Sequence, residues 1–257
     1  MPVLNETDVY REFPAPEPLR RSIACLWVRH GNGGAVRVMP DACTDIVWRP
    51  STGAVVAGPD TEAWLSRPLP GETVVGARFL PGAGGSALGW PLAELRDQRV
   101  PLSDLGLTAA ERLDGELDSA RALELVAAAA FRLAGTGAPD RAVQAAVVRL
   151  SDPTQRVERL ADQLGLSERQ LRRRFLAAVG YGPKTLQRVL RLRRFLASAT
   201  ADDGPASLAG AAFDAGYADQ AHLSRECRAL TGLTPQQVIA SASLGSINER
   251  PALRAAA

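Results

Sequence analysis

The chain has 257 residues, of which 46% are apolar, and a formal net charge of +2 at pH 7. This length and composition predict a folded globular protein with one large or two ordinary domains and exclude an intrinsically disordered chain. Its apolar runs are shorter than the roughly 20 residues of a membrane span. The first residues also lack the layout of a signal peptide, so a cytoplasmic location is predicted.

The first hundred residues consist of short β-type runs separated by glycine and proline. The runs cover residues 35–39, 45–48, 54–57 and 73–79, where branched and aromatic residues are frequent. This pattern is typical of an antiparallel sheet or a small barrel. We therefore predict a β-rich domain over residues 1–104.

From about residue 105 onward the pattern changes to that of helices. Alanine, leucine, glutamate and arginine recur at helical spacing up to residue 133 and predict a helical connector over residues 105–139, a candidate dimerisation element. Residues 140–240 predict an all-α domain of about seven short helices, and residues 241–257 predict a flexible tail. The fold class predicted for the whole chain is α+β.

Charge is unevenly distributed between the two halves. Residues 1–139 carry 13 basic and 17 acidic side chains, whereas residues 140–257 carry 17 basic and 11 acidic ones. Nine of the basic side chains lie in residues 168–194, beside one acidic side chain. Such a basic block indicates contact with a polyanion, most often nucleic acid, and the alternative is a solvated helix surface.

The basic half contains the same short unit twice. Residues 165–183 align with residues 216–235, with matches at fixed offsets of 51 and 52 residues. The matched pairs are Ala161 and Ala212, Gly165 and Gly216, Ser167 and Asp219, Leu171 and Leu223, Arg173 and Arg225, Gly180 and Gly232, and Pro183 and Pro235. A repeat of this kind predicts a duplicated supersecondary unit.

Each unit has the local signals of a helix-turn-helix. The alanine allows two helices to approach closely, and the glycine four residues later can adopt the positive φ of a tight turn. Ser167 or Asp219 then caps the next helix, and Ser167 with Gln170 forms the S-x-x-Q pattern of a capping box. The second helix of each unit is the one expected to contact DNA.

Helical periodicity separates a polar face from a core face in both second helices. In the first unit, Arg169, Arg172 and Arg173 share the face opposite the core, and arginine on such a face can make paired hydrogen bonds to guanine. The core residues of the first unit are Leu171, Phe175 and Ala178. In the second unit the outward residues are Gln220, Ala221, Ser224 and Arg225, and the core residues are Leu223, Cys227 and Leu230.

Residues 183–199 predict one continuous helix that links the two units. Basic residues along this helix and beside the first polar face are expected to lie near phosphates. They are Arg174, Lys184, Arg188, Arg191, Arg193 and Arg194.

The segments SERQLRRRF, GYGP and GYADQAHLSRECRALTGLTP make residues 140–240 resemble the DNA-binding domain of the AraC/XylS family of bacterial transcription regulators. The resemblance implies two helix-turn-helix units joined by a long helix, each reading a segment of the major groove of promoter DNA. It assigns base reading to the seven outward residues named above. RNA polymerase and a second copy of the chain are further partners that it implies.

The first half resembles, more loosely, a domain found ahead of this module in some family members. The resemblance lies in RVMPDACTDIVW and GARFLPGAGGSALG. It implies a domain that senses a small-molecule effector, dimerises, or does both. Four tryptophans, Trp27, Trp48, Trp64 and Trp90, lie in this half and are candidates either for an effector pocket or for the core.

Other chemistry has weaker support in the sequence. Asp41, Cys43 and Asp45 could hold a cation or an activated thiol, but a turn that enters a strand explains them equally well. An alkyl-accepting repair protein would need several cysteines around zinc, and this half holds only Cys25 and Cys43. No catalytic residue, metal or cofactor is predicted. A ligand-binding scaffold that does not contact DNA is the remaining alternative.

Overall fold

A computed structural model of the chain describes residues 9–107, 112–113, 117–200, 207–243 and 247–248. It confirms the α+β class, with a β-rich first half followed by helices. None of the helices in these ranges is long and apolar enough to cross a bilayer.

Most strands of the first half belong to one antiparallel sheet. Its six described strands are β1 (Val9–Pro14), β2 (Ile23–Asn32), β4 (Thr44–Arg49), β5 (Gly53–Ala57), β7 (Pro70–Phe79) and β8 (Arg99–Pro101), in the order β1-β2-β7-β4-β5-β8. A smaller sheet holds β3 (Val36–Val38), β6 (Trp64–Ser66) and β9 (Ile247–Asn248). The four predicted β runs correspond to β3, β4, β5 and β7. Strands β1, β2, β6, β8 and β9 were not predicted. Strand β2 has ten residues, but it includes Arg29, His30 and Gly31, and the others are shorter, with proline or charged residues within them or close by.

The two faces of the large sheet have different neighbours. On one face, Val75, Ala77 and Phe79 of β7 pack against helix α2 (Ser119–Thr136) in the main core of the domain. The alternate residues of β7, which include Val74 and Arg78, face the other way, because successive side chains of a strand point to opposite sides. This second face forms the floor of a cavity.

Helix α2 begins later than the sequence pattern suggests. Asp118 caps it by accepting a hydrogen bond from the backbone N–H of Arg121 at 2.9 Å, and residues 102–105 form a separate 3-10 turn. The first part of the predicted connector also contains residues 108–111 and 114–116, which lie outside the described residues.

The second half of the chain is helical. Within the described residues it holds seven helices, the number predicted: α3 (Arg141–Leu150), α4 (Leu160–Gln163), α5 (Glu168–Ala178), α6 (Pro183–Ala199), α7 (Leu208–Ala215), α8 (Gln220–Thr231) and α9 (Pro235–Ser243). A short helix α1 (Gly84–Leu88) lies in the first half, where the segment GAGGSALG turns from strand β7 into the helix.

Helix α6 belongs to two hydrophobic cores. Leu186, Val189 and Leu190 pack into the core of the first unit, with α3 to α5. Leu192 and Phe195 pack into the core of the second unit, with α7 to α9. One continuous helix therefore sets the position of one unit relative to the other.

The predicted tail is partly structured. Helix α9 continues to Ser243, and strand β9 pairs in parallel with β3 of the first half. The remaining residues of the tail lie outside the described residues.

Candidate nucleic-acid interface

The two repeated units have the same turn. Gly165 and Gly216 adopt φ of 65° and 87°, in the left-handed region that glycine enters without steric cost. In the first unit the N–H of Leu166 donates to the carbonyl of Ala161 at 3.0 Å, and in the second Tyr217 donates to Ala212 at 2.9 Å. The equivalence of these bonds confirms the predicted helix-turn-helix in both units.

Both second helices are capped as predicted. The Ser167 hydroxyl accepts from the N–H of Gln170 at 3.2 Å, and the Gln170 side chain accepts from the N–H of Ser167 at 2.9 Å. In the second unit, Asp219 accepts from the N–H of His222 at 2.6 Å. A cap of this kind contributes about 0.5–2 kcal/mol and determines where the helix begins.

Helix α5 presents a guanidinium face to solvent. Arg169, Arg172 and Arg173 are exposed, while Leu171 and Phe175 on the opposite side are buried in the core of the first unit. Three exposed arginines on one helical face can reach the edges of adjacent bases, with guanine as the preferred partner.

Helix α8 presents a less charged face. Gln220, Ala221 and Arg225 are exposed, and Ser224 is half-buried with its hydroxyl donating to the carbonyl of Gln220 at 2.9 Å. That bond occupies the hydroxyl proton and leaves the Ser224 oxygen as an acceptor. The Gln220 amide and the Arg225 guanidinium are the groups able to form paired hydrogen bonds with adenine and guanine.

The six residues predicted near phosphates fall into two groups. Lys184, in the first turn of α6, is exposed. The other five are half-buried: Arg174, Arg188, Arg191, Arg193 and Arg194.

Several of these half-buried guanidiniums also hold the domain together. Arg174 pairs with Asp140 at 3.2 Å, which joins α5 to the N-terminus of α3, and Arg188 pairs with Glu226 at 2.7 Å, which joins α6 to α8. Arg194 donates to the carbonyls of Ala215 at 3.2 Å and Ser151 at 3.0 Å. Periodicity indicated that Arg174 meets solvent or a phosphate, whereas the structure places Asp140 against it.

A cavity of about 380 Å³ lies on the face of the large sheet that is opposite α2. It is bounded by that sheet and by strands β3 and β6. Its lining includes aromatic and ionisable residues, among them Tyr10, Trp27, Asp41, Asp45, Trp64 and Arg99. Trp48 is instead buried in the main core and Trp90 packs against that core, so the four tryptophans divide between the two predicted roles.

Beside the cavity, on the same face of the large sheet, lies a buried ionic cluster that was not predicted. Arg78 is 3% exposed; its guanidinium is 2.7 Å from Glu12, 3.4 Å from Asp45 and 3.8 Å from Asp41, and it donates to the Tyr10 hydroxyl at 2.9 Å. In the sequence, the one sign of this cluster was an arginine, Arg78, among the apolar residues of the predicted strand over residues 73–79. Its partners come from other strands, and sequence spacing does not reveal them.

The Asp41 segment forms a turn, and the cysteines are buried thiols. Asp41 accepts a hydrogen bond from the N–H of Cys43 at 3.0 Å, as expected for a turn that enters β4. Burial raises the pKa of the Cys25 thiol to about 12 and that of Cys43 well above its usual range. A raised pKa disfavours the thiolate that alkyl transfer would need.

Comparison with known proteins finds a family match in each of two regions of the chain. Residues 160–241 match a family described as a helix-turn-helix domain, and residues 11–101 match a domain of unknown function, DUF6597. No curated protein matches the chain.

Two solved structures of ToxT from Vibrio cholerae strain SCE256 are similar in architecture. The apo form of a ToxT variant has 13% identity and a TM-score of 0.45, with 84% of this chain and 96% of that chain covered. Wild-type ToxT bound to an unsaturated fatty acid has 11% identity and a TM-score of 0.43, with 93% and 97% covered.

Proposed function

We propose that the chain is a sequence-specific transcription regulator of the AraC/XylS type, whose two recognition helices read successive segments of the major groove. The helix-turn-helix match over residues 160–241, behind a domain of unknown function over residues 11–101, supports this proposal. The observation that carries this proposal is the duplicated unit. Helices α5 and α8 each follow the same glycine turn and begin at a side-chain N-cap, and each has a buried spine and an exposed polar face. Helix α6 connects the two units.

The roles of individual residues follow from their position on these helices. Arg169, Arg172 and Arg173 read bases from α5. On α8 the readers are Gln220, Ala221, Ser224 and Arg225. Lys184 contacts a phosphate, and the half-buried arginines of α5 and α6 combine a structural bond with a phosphate contact through their remaining donors.

The first half modulates DNA binding. Residues 1–104 are the regulatory domain, residues 105–139 connect it to the DNA-binding domain over residues 140–240, and the cavity between the two sheets is the place for an effector. Its volume lies within the range of 300–1,000 Å³ that is typical of small-molecule sites. RNA polymerase and a second copy of the chain are further partners. The protein acts in the cytoplasm, where it encounters promoter DNA.

Selection of bound duplexes from a random pool tests this function directly. The two units carry different recognition helices on one chain. The selection is therefore expected to enrich an asymmetric site with two conserved blocks about 10 bp apart, one helical turn of DNA. A pool that shows no enrichment, together with equal affinity for selected and scrambled duplexes, would contradict sequence-specific reading.

Lys184→Ala is expected to weaken binding to selected and scrambled duplexes alike, because a phosphate contact carries no base information. Loss of one contact should reduce the slope of log K against log salt by about 0.9. Fluorescence anisotropy at several salt concentrations measures this slope. Lys184→Arg is the matched control and should keep the slope of the wild type; a changed slope in both variants would contradict the phosphate contact.

A further inference from the structure

A short segment lies between the cavity and the cores of the DNA-binding domain. Residues 38–43, named here the shared wall, connect β3 to β4. Three of its residues, Val38, Asp41 and Cys43, line the cavity. The same segment therefore forms part of a small-molecule site in the first half of the chain.

Two other residues of the shared wall pack into the DNA-binding domain. Met39 is 3% exposed and belongs to the core of the second unit, with Leu223 and Cys227 of helix α8. Ala42 is also 3% exposed and belongs to the core of the first unit, with Phe175 of helix α5. Each recognition helix thus has one shared-wall residue in the core on which it is built.

Polar contacts attach the same region to the end of α8 and to the linking helix α6. Arg37, next to the shared wall, donates to the carbonyl of Thr231 at the end of α8 at 3.0 Å. Arg193 of α6 donates to the carbonyl of Asp41 at 3.4 Å. Movement of the wall would therefore move groups that orient α6 and α8.

The shared wall holds one residue in an unfavourable conformation. Ala42 has φ of 68°, in the left-handed region that residues with a Cβ rarely adopt. Such a conformation persists only where the surrounding packing imposes it. Here Ala42 packs into the core of the first unit, while its chain neighbours Asp41 and Cys43 line the cavity.

The charges around the cavity are balanced. Three arginines and three aspartates are among its lining residues: Arg29, Arg49, Arg99, Asp41, Asp45 and Asp60. Arg99 pairs with Asp60 at 2.6 Å, and Arg49 pairs with Glu72 at 3.0 Å. A charged ligand would lose its hydration on entering the cavity, and the lining charges already compensate one another. The loss of hydration would therefore cost free energy that no opposite charge offsets.

The apolar lining favours ring systems. The Trp27 indole lies directly against the backbone of β7, because a Cβ at Gly76 would be only 2.3 Å from its ring. Trp64, from the facing sheet, has the Arg99 guanidinium over its ring at 4.5 Å. With Tyr10, these side chains offer flat aromatic surfaces to a ligand.

We infer that the cavity binds an uncharged, ring-containing small molecule and that the shared wall couples its occupancy to DNA binding by both units. The second part rests on the proposed function, and the first does not. Because the linkage is reciprocal, DNA must change the affinity for the small molecule by the same factor as the small molecule changes the affinity for DNA.

A matched pair of fluorescent probes tests the ligand class on the full chain. Phenylnaphthylamine is uncharged, and anilinonaphthalene sulfonate has the same rings with one negative charge. The uncharged probe is expected to bind at least about tenfold more tightly. Equal affinity, or tighter binding of the sulfonate, would overturn the assignment without bearing on DNA binding.

Two variants locate the probe. Val55→Trp fills the cavity and should reduce the affinity for the uncharged probe at least about tenfold. Phe213→Ser removes an apolar side chain that is 78% exposed on α7 and should leave the affinity unchanged. If Val55→Trp binds the probe normally, or if Phe213→Ser abolishes binding, the site is not the cavity. Should Val55→Trp fail to fold, the comparison of the two probes on the wild type still decides the ligand class.

Titration of the uncharged probe with and without the selected duplex tests the coupling. A change in affinity of about fivefold or more, in either direction, is expected. Ala42→Gly relaxes the left-handed conformation and removes the methyl group that Ala42 packs into the core of the first unit. Because Ala42 does not line the cavity, this variant should bind the probe normally and show a smaller change. An identical probe affinity with and without bound DNA would overturn the coupling, whereas a failure to bind any duplex would contradict the proposed function instead.

Discussion

Replacing Arg173 with alanine is expected to weaken binding to the selected duplex by about 1–3 kcal/mol, or roughly 5- to 150-fold. Arg173 is exposed on α5, so its loss removes a paired hydrogen bond to a base without disturbing the core of the first unit. Fluorescence anisotropy with duplexes that differ at one base pair measures the effect. The variant should lose the preference of the wild type at one position and keep it at the others.

Two comparisons make this result specific. Arg121→Ala removes an arginine whose side chain is 58% exposed on α2, outside the helix-turn-helix domain, and should leave DNA affinity unchanged. On a scrambled duplex, Arg173→Ala should lose much less affinity than on the selected duplex. Equal losses on both duplexes would make Arg173 a phosphate contact and remove it from the readers.

Arg78→Met is expected to lower the free energy of unfolding by about 3–5 kcal/mol. Arg78 is 3% exposed and is the shared cation of Glu12, Asp41 and Asp45, so its removal leaves buried carboxylates without that compensating charge. Chemical denaturation followed by circular dichroism measures the change. Arg121→Met, which breaks an exposed pair with Glu124, should change the unfolding free energy by less than about 0.5 kcal/mol.

The loss of stability in Arg78→Met should depend on pH. Burial alone would raise the pKa of Glu12, but the attraction of Arg78 and the hydrogen bonds from Tyr10 and Arg78 together lower it. A lowered pKa in the folded state stabilises the protein above the unfolded pKa, and this stabilisation disappears as the pH falls through the folded pKa. The difference between wild type and variant should therefore be largest near neutral pH and shrink below about pH 4. A difference that is constant over this range would contradict an electrostatic role for Arg78.

The cluster also matters for the proposed effector site. Asp41 and Asp45 contact Arg78 on one side and line the cavity on the other. Asp41 further belongs to the shared wall, where its carbonyl accepts from Arg193 of α6. The buried ion cluster therefore stiffens the part of the wall through which we expect the cavity and the DNA-binding domain to communicate.

The buried thiols bear on the alternative of a repair protein. Cys25 and Cys43 lie beside the Arg78 cluster, on the cavity side of the large sheet, and burial raises the pKa of both. Cys227 lies in the core of the second unit, where burial raises its pKa to about 12. The three buried thiols are neutral and pack as small apolar side chains. Their burial therefore favours a structural role over the alkyl transfer of a repair protein.

The sequence by itself determined the architecture of the DNA-binding domain. Helical periodicity, caps such as Ser167 and Asp219, and turn glycines such as Gly165 act over a few residues, so their spacing along the chain is enough to place them. The linking helix was predicted over residues 183–199, and the structure has it as Pro183–Ala199. The exposed faces of α5 and α8 follow from the same periodicity.

Tertiary structure alone decided which charges are used inside the protein. Arg174 and Asp140 are 34 residues apart in sequence, and Arg188 and Glu226 are 38 apart, so no local pattern connects them. The Arg78 cluster, the cavity and the contact between Arg37 and Thr231, 194 residues apart, likewise exist only after distant strands and helices meet. Spacing in the chain encodes the direction of a side chain on its own helix or strand, whereas its partner depends on how those elements pack.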